Sequence, residues 1–483
     1  DLGRYGRNSN YPDLFRGSLT MPFPTIAIIG LGTMGLNLAL NCKDHNIPVF
    51  GYDPDPEKQG PFKQNRAGTL FNNLEPLIEA LPTPRTVLLL IPDSVFTEVY
   101  LQRLLSLLNR GDLIIDAGNA HYKRTESFQQ IAASNEIHYV GMGISGGAEG
   151  ARNGAAIMLG GASGVVTTLL PLLTPLAAKA EDGQPCITAV GPSGSGHFVK
   201  MIHNGIEYAE MQILAELWLY LHTVCGFTPQ QVAAVFMEWN QTEHSFLLET
   251  AATVLSAQDT ESNTPLIEQI ADHSNQKGTG QWSVMAALEY GIPAPSIAEA
   301  VFCRQLSNCP TLRDQALSIG SAHSAKRQEE LVQFAHSAYI GAQLSAYTQG
   351  FSIIVQASQT EHWGVNLQQL ANGWRNGCII RGRLIEEVAT AYAQQPASTH
   401  LLQMELFNTQ IHSIHGNWKQ FIEVSIQNQL ATPVISTSLF YVHGWHSTQL
   451  GANLIEGMRD CFGGHGFSKK GASSPQHYNW QPS

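Results

Sequence analysis

The hydrophobic rhythm of the chain changes once, near residue 190. From Thr25 onward short apolar runs alternate with helical stretches: "TIAIIG", "IPVFGYD", "TVLLLIPD", "DLIIDAGN", "IHYVGMG" and "AAIMLGG". Runs of this length, rich in β-branched residues and bounded by glycine or aspartate, read as strands buried on both faces. Their alternation with helical segments predicts βαβ units, and so a parallel sheet with helices on both sides. The glycines, proline and serines of "AVGPSGSG" read as a boundary.

Beyond that boundary the pattern is almost wholly helical. "AEMQILAELWLYLHTV", "QEELVQFAHSAYIGAQLSAYTQGFSIIVQA" and "NLQQLANGWRNGCIIRGRLIEEVATAYAQ" are long, and some are apolar nearly all round. Helices of that kind belong inside a large helical domain. The predicted organisation is an α/β Rossmann-type domain over residues 22–193 and a large all-α domain over 194–450. A short glycine-bearing tail over 451–483 cannot form a core of its own and must dock on something. Residues 1–21, "DLGRYGRNSNYPDLFRGSLTM", carry arginines without the apolar stretch of a secretory signal. They read as a leader or an expression remnant, with an organellar remnant left open; the expected setting is otherwise cytoplasmic.

The strand–helix joint at Gly30 carries the first chemistry. Gly30, Leu31, Gly32, Thr33, Met34 and Gly35 spell G-x-G-x-x-G. The first glycine permits a tight turn, the second lets a pyrophosphate approach the backbone, and the third lets helix pack on strand. The helix N-terminus adds N–H donors and a positive dipole end. Asp53, about 20 residues on, completes a dinucleotide reading.

A second signal lies in "HFVKMIHNGIEYAEM". Lys200, His203, Asn204, Glu207 and Tyr208 share one helical face, among residues that favour burial. A buried lysine has a lowered pKa and can serve as a general base; a buried glutamate has a raised one and can serve as an acid. The competing reading of the same face is a salt-bridged pair in water. Lys277, Thr279 and Arg304 stand in "SNQKGTGQW" and "AEAVFCRQLS", and Arg459 and His465 in "MRDCFGGHGF". Cations around a hydroxyl suit a phosphate. Ser145, Gly146 and Gly147 offer a hydroxyl and bare amides to a carboxylate. Asn119, at a strand end, is a turn residue or a bridge between cofactor and substrate.

Composition narrows the possibilities. At 483 residues, 43% hydrophobic and 14% charged, the chain is globular and long enough for two or three domains. A net charge of -12, from 27 Lys+Arg against 39 Asp+Glu, argues against a nucleic-acid or anionic-membrane surface. Seven scattered cysteines without a C-x-x-C pair fit neither a disulfide framework nor a zinc site, so reduced thiols and no metal are expected. No apolar run reaches the roughly 18–20 residues of a membrane span.

Taken together, these motifs closely resemble the decarboxylating 6-phosphogluconate dehydrogenase family between about Thr25 and His465. The text that carries the resemblance is "GLGTMG", "IIDAGN", "GMGISGGAEGAR", "GHFVKMIHNGIEY", "QKGTG", "EAVFCRQLS", "GWRNGCIIRGR" and "ANLIEGMRDCFGGH". The resemblance implies Lys200 as base and Glu207 as acid. It implies substrate contacts at Asn119, Ser145, Gly146, Gly147, His203 and Asn204, and a phosphate pocket at Tyr208, Lys277, Thr279 and Arg304. Family tails reach into the partner subunit, so Arg459 and His465 would complete the neighbour's site in a homodimer. The cofactor positions would be Gly30, Leu31, Gly32, Thr33, Met34, Gly35, Asp53, Ile91, Pro92, Asp93 and Asn119.

Three departures stand out. "YDPD" replaces the family's N-R-[ST], Ile91-Pro92-Asp93-Ser94 replaces V-K-A-G, and "QLGAN" replaces R-L-P-A-N. Asp53 can accept hydrogen bonds from a ribose 2′-hydroxyl and repels a 2′-phosphate. NAD is therefore the expected cofactor, against the family habit of NADP. Two other readings stay open: an oxidoreductase for another anionic sugar acid, and a catalytically silent dinucleotide-sensing module.

Overall fold

The computed structural model describes residues 25–92, 95–309, 326–472 and 474–480. The expected leader and Asp93 lie outside the described residues. Eight strands are described: β1 (Ile26–Ile29), β2 (Val49–Tyr52), β3 (Thr69–Leu70), β4 (Thr86–Leu89), β5 (Leu113–Asp116), β6 (His138–Ser145), β7 (Ala156–Gly160) and β8 (Ile187–Gly191). They form one sheet in the order β3-β2-β1-β4-β5-β6-β7-β8. Every residue of β1, β4 and β5 is buried, which explains their unbroken apolar runs. β1 lies between β2 and β4, with Ile26 in register with both Val49 and Thr86. The strand order reverses there, so the crevice at the C-terminal ends of β1 and β4 is where such sheets take ligands.

The sheet is not parallel throughout. β7 runs antiparallel to β6, and β8 is parallel to β7. The reason is length. Only residues 146–155 connect β6 to β7, and most of them form the short helix Gly147–Asn153. A parallel crossover takes a dozen residues or more. β3 and β8 are further strands that the apolar pattern did not reveal; β3 has two residues, and β8 alternates buried with more open positions.

The helical part begins with Ser195–Thr223, 29 residues long, and is completed by Gln328–Thr360 and its neighbours. The two long helices share one apolar core with helices Glu405–Gln427 and Pro433–His446. The first of them also lies against β6 and β7. Gly143 on β6 makes that approach possible: a Cβ there would stand 2.5 Å from Lys200 Cβ. The N-terminal half of the helix is thereby held against the strand that ends in Ser145.

The tail helix Ala452–Gly463 leaves Leu454, Ile455, Met458 and Phe462 largely exposed. The segment C-terminal to this helix folds around buried Asp460, which accepts from Gly466 N (2.9 Å), Tyr478 N (3.1 Å) and Trp480 Nε1 (2.8 Å). None of the seven cysteines is paired; four are buried, but Cys461 is exposed. Among the described residues no helix is long and apolar enough to cross a membrane.

Candidate active site

The glycine turn has the geometry its sequence predicts. Gly30 adopts φ +98°, and a Cβ on Gly35 would stand 1.9 Å from Gly30 O, so neither position accepts a side chain. Gly32 is different. A Cβ there meets nothing within 4 Å, and the helix Thr33–Asp44 that it caps has no side-chain cap. Open space and free helical amides together make a cradle that fits a pyrophosphate. Leu31 N–H is not part of that cradle, because it donates to Asp53 Oδ2 at 2.7 Å. Asp55 N–H donates to Asp53 Oδ1 at 2.9 Å. Asp53 therefore latches the glycine turn to the end of β2, a role its sequence position alone did not disclose. Asp55 in turn caps helix Pro56–Gln64, accepting from Glu57 N at 2.9 Å. Ile91 and Pro92 follow β4 at the same crevice, and Asn119 stands exposed just after β5.

The polar stripe faces inward. Lys200 is 7% exposed, His203 fully buried and Asn204 8% exposed. Lys200 Nζ donates to Asn204 Oδ1 at 2.6 Å. His203 Nδ1 lies 3.3 Å from the same oxygen, so it carries the proton, and Nε2 is left to accept from Ser145 Oγ at 3.2 Å. Ser145 Oγ also accepts from Ile379 N at 3.4 Å, across 234 positions of sequence. One connected network thus joins β6, the long helix and the segment after Trp374. Glu207 Oε2 is 3.9 Å from His203 Nδ1, and its side chain keeps 22% exposure. A salt-bridged face in water is not what forms.

Electrostatics follow from this burial. Desolvation lowers the Lys200 pKa, with Glu207 opposing. Desolvation and the Lys200 charge hold His203 well below the usual imidazole range, so it is neutral and its contact with Glu207 is not an ion pair. Desolvation raises Glu207, moderated by Lys200 and Arg304. A base with a lowered pKa and an acid with a raised one stand two turns apart on one helix, the pairing that proton transfer near neutrality requires.

Around Tyr208 the cationic group assembles. The Arg304 guanidinium sits 3.6 Å from the Tyr208 ring centroid, and Gly280 is packed so closely that a Cβ would come 2.5 Å from the ring. Thr279 is buried at the start of helix Thr279–Glu289, while Lys277 stays exposed beside it. Gly146 and Gly147 open the short helix after β6. Arg459 and His465 are not drawn into this group. Arg459 pairs with Glu456 on its own exposed helix, and the His465 ring packs beside Phe462. The sequence reading missed the Ile379 amide and the Asp53 latch. The first leaves no side-chain signal; the second needed the register of β1 and β2.

Two family descriptions cover nearly the whole of this arrangement. Residues 25–191 match the NAD binding domain of 6-phosphogluconate dehydrogenase, and residues 196–480 match its C-terminal domain. The NADP(+)-dependent decarboxylating 6-phosphogluconate dehydrogenase of Bacillus subtilis is 36% identical, covering 94% of this chain and 98% of that protein. The NAD(+)-dependent enzyme of the same organism is 34% identical, covering 95% and 99%. Among solved structures, 6-phosphogluconate dehydrogenase of Plasmodium falciparum, described with NADP+ and with 6-phosphogluconate, superimposes with a TM-score of 0.90. It is 30% identical and covers 94% of this chain and 100% of its own. With both halves matched over almost their full length, the chain belongs to the 6-phosphogluconate dehydrogenase family.

Proposed function

We propose that this chain oxidatively decarboxylates 6-phosphogluconate to ribulose 5-phosphate and CO2, as a homodimer that prefers NAD. The observation that carries the reading is the buried Lys200–Asn204–His203–Ser145 network with Glu207 at its edge. A bound nicotinamide supplies the hydride acceptor. Lys200, its proton affinity lowered by burial, takes the proton of the C3 hydroxyl as C3 is oxidised. The β-keto acid so formed loses CO2 because its ketone accepts the released electrons, and protonated Lys200 assists at that oxygen. Glu207, its proton affinity raised by burial, delivers a proton to the enediol. Ser145, Gly146, Gly147 and Asn119 hold the carboxylate end, with His203 and Asn204 on the hydroxyls. Tyr208, Lys277, Thr279 and Arg304 hold the phosphate. Mixing the protein with 6-phosphogluconate and NAD tests this directly. Reduced nicotinamide and CO2 should appear in equal amounts. Reduction without CO2 favours another sugar acid, and neither product favours a silent sensor.

The supports for NAD are Asp53 at the end of β2 and the prolines at positions 54 and 92, where a 2′-phosphate would need cations. Identity does not choose, since the two Bacillus relatives differ in coenzyme at nearly equal similarity. The support for tail exchange is the exposed apolar face of Ala452–Gly463, which carries Arg459 with His465 just beyond it. An inactive Arg459→Ala chain mixed with an inactive Lys200→Met chain should regain activity, because one of the two sites receives both intact parts. Heterodimers that form yet stay inactive sink the shared-site reading.

A further inference from the structure

Glu210 stands one helical turn beyond Glu207 and is 2% exposed. It has no part in the proton transfers assigned to Lys200 and Glu207. Its Oε1 accepts from Gln343 Nε2 at 2.5 Å, on helix Gln328–Thr360. The same amide also reaches the Tyr339 hydroxyl at 3.2 Å. Oε2 has no hydrogen-bond partner. The Tyr347 hydroxyl lies beside the carboxyl, but it already gives its proton to Ile380 O at 2.6 Å. An ionised carboxylate would leave Oε2 buried with its charge unsatisfied, whereas a protonated carboxyl carries no charge to desolvate. Among the described residues no lysine or arginine forms an ion pair with Glu210. The groups facing it are Glu207 from its own helix, with Gln343, Tyr339 and Tyr347 from the helix opposite.

We propose that Glu210 is a buried neutral acid that positions the charge balance of the site, so that Lys200 and an anionic substrate meet one titrating carboxyl group on this helix and not two. The inference rests on the proposed activity. Burial pushes Glu210 up to about 8, with the Gln343 hydrogen bond opposing the rise and the nearby Glu207 adding to it. Below that pH the group stays protonated. As pH rises through it, a negative charge appears beside Glu207, increases the proton affinity of both Glu207 and Lys200, and opposes a phosphorylated sugar acid. The parent enzyme should therefore lose kcat/KM above about 8, with KM rising. The same sign governs stability: the contribution from burying the neutral acid is full below 4.5 and is lost as pH rises through about 8.

Glu210→Gln is the test, because glutamine reproduces the hydrogen bonding of a protonated acid and cannot ionise. The ratio of alkaline to neutral kcat/KM should rise at least about threefold over the parent, what half a pKa unit of altered proton affinity makes. Superimposable pH profiles would overturn the proposal. A variant that cannot fold also counts against it, since a native neutral acid should tolerate its neutral isostere. Infrared difference spectra supply a readout without turnover. The parent at neutral pH should show a protonated carboxyl band that Glu210→Gln lacks, and no difference overturns the proposal whatever the substrate proves to be.

Discussion

Lys200→Met is expected to reduce oxidation at least ~10²-fold, the smallest loss that removing a general base should cause. Substrate affinity should stay within about an order of magnitude, because the phosphate and carboxylate partners remain. The fold should survive as well. Lys200 is 7% exposed and carries an amine whose charged form burial disfavours, so an apolar side chain of similar length relieves a penalty. The pH profile carries a second part of the expectation. Burial lowers the Lys200 pKa, so the neutral base persists to lower pH than a lysine in water would allow, and activity falls as pH drops through that lowered value. Stopped-flow reduction of NAD in the first turnover, together with equilibrium binding of 6-phosphogluconate, separates the two effects. Turnover within about tenfold of the parent removes Lys200 from the role of base.

The coenzyme preference should be nearly as large. Like-charge contact between Asp53 and a 2′-phosphate in a partly buried crevice costs on the order of a few kcal/mol, or at least ~10²-fold in kcat/KM, in favour of NAD. Measuring kcat/KM for both coenzymes at saturating 6-phosphogluconate checks it, and a preference for NADP overturns it. Lys58, exposed on helix Pro56–Gln64, is the cation that could swing in to rescue NADP, and Lys58→Ala exposes that route. Asp53→Asn with Pro54→Arg should move the ratio toward NADP. It also carries a structural cost. Asp53 accepts from both Leu31 N and Asp55 N, and an asparagine has one acceptor oxygen for the two amides. Leaving one buried amide unmet costs about 1–3 kcal/mol. Pro54→Arg alone keeps the latch, so it should shift the ratio with less loss of thermal stability.

Much of this was legible in the sequence because it is local. The βαβ alternation, the glycine turn and the inward stripe from Lys200 to Tyr208 each follow from periods of two or 3.6 residues and from the sterics of a single turn. A helix that spaces Lys200, His203, Asn204 and Glu207 on one face does so wherever it packs. Whether that face meets water or protein is not local. Gly143 on β6 and the core around Gln328–Thr360 bury it, and burial is what sets the two proton affinities apart. The reversal of β7 likewise came from a connection too short for a crossover, a constraint on three-dimensional closure that no apolar run encodes. The latch from Asp53 to Leu31, the amide of Ile379 on Ser145 and the Gln343 side chain on Glu210 join positions between 22 and 234 residues apart. Backbone amides leave no mark on residue type, and pairing across such separations leaves none on local pattern, so only the tertiary structure could decide them.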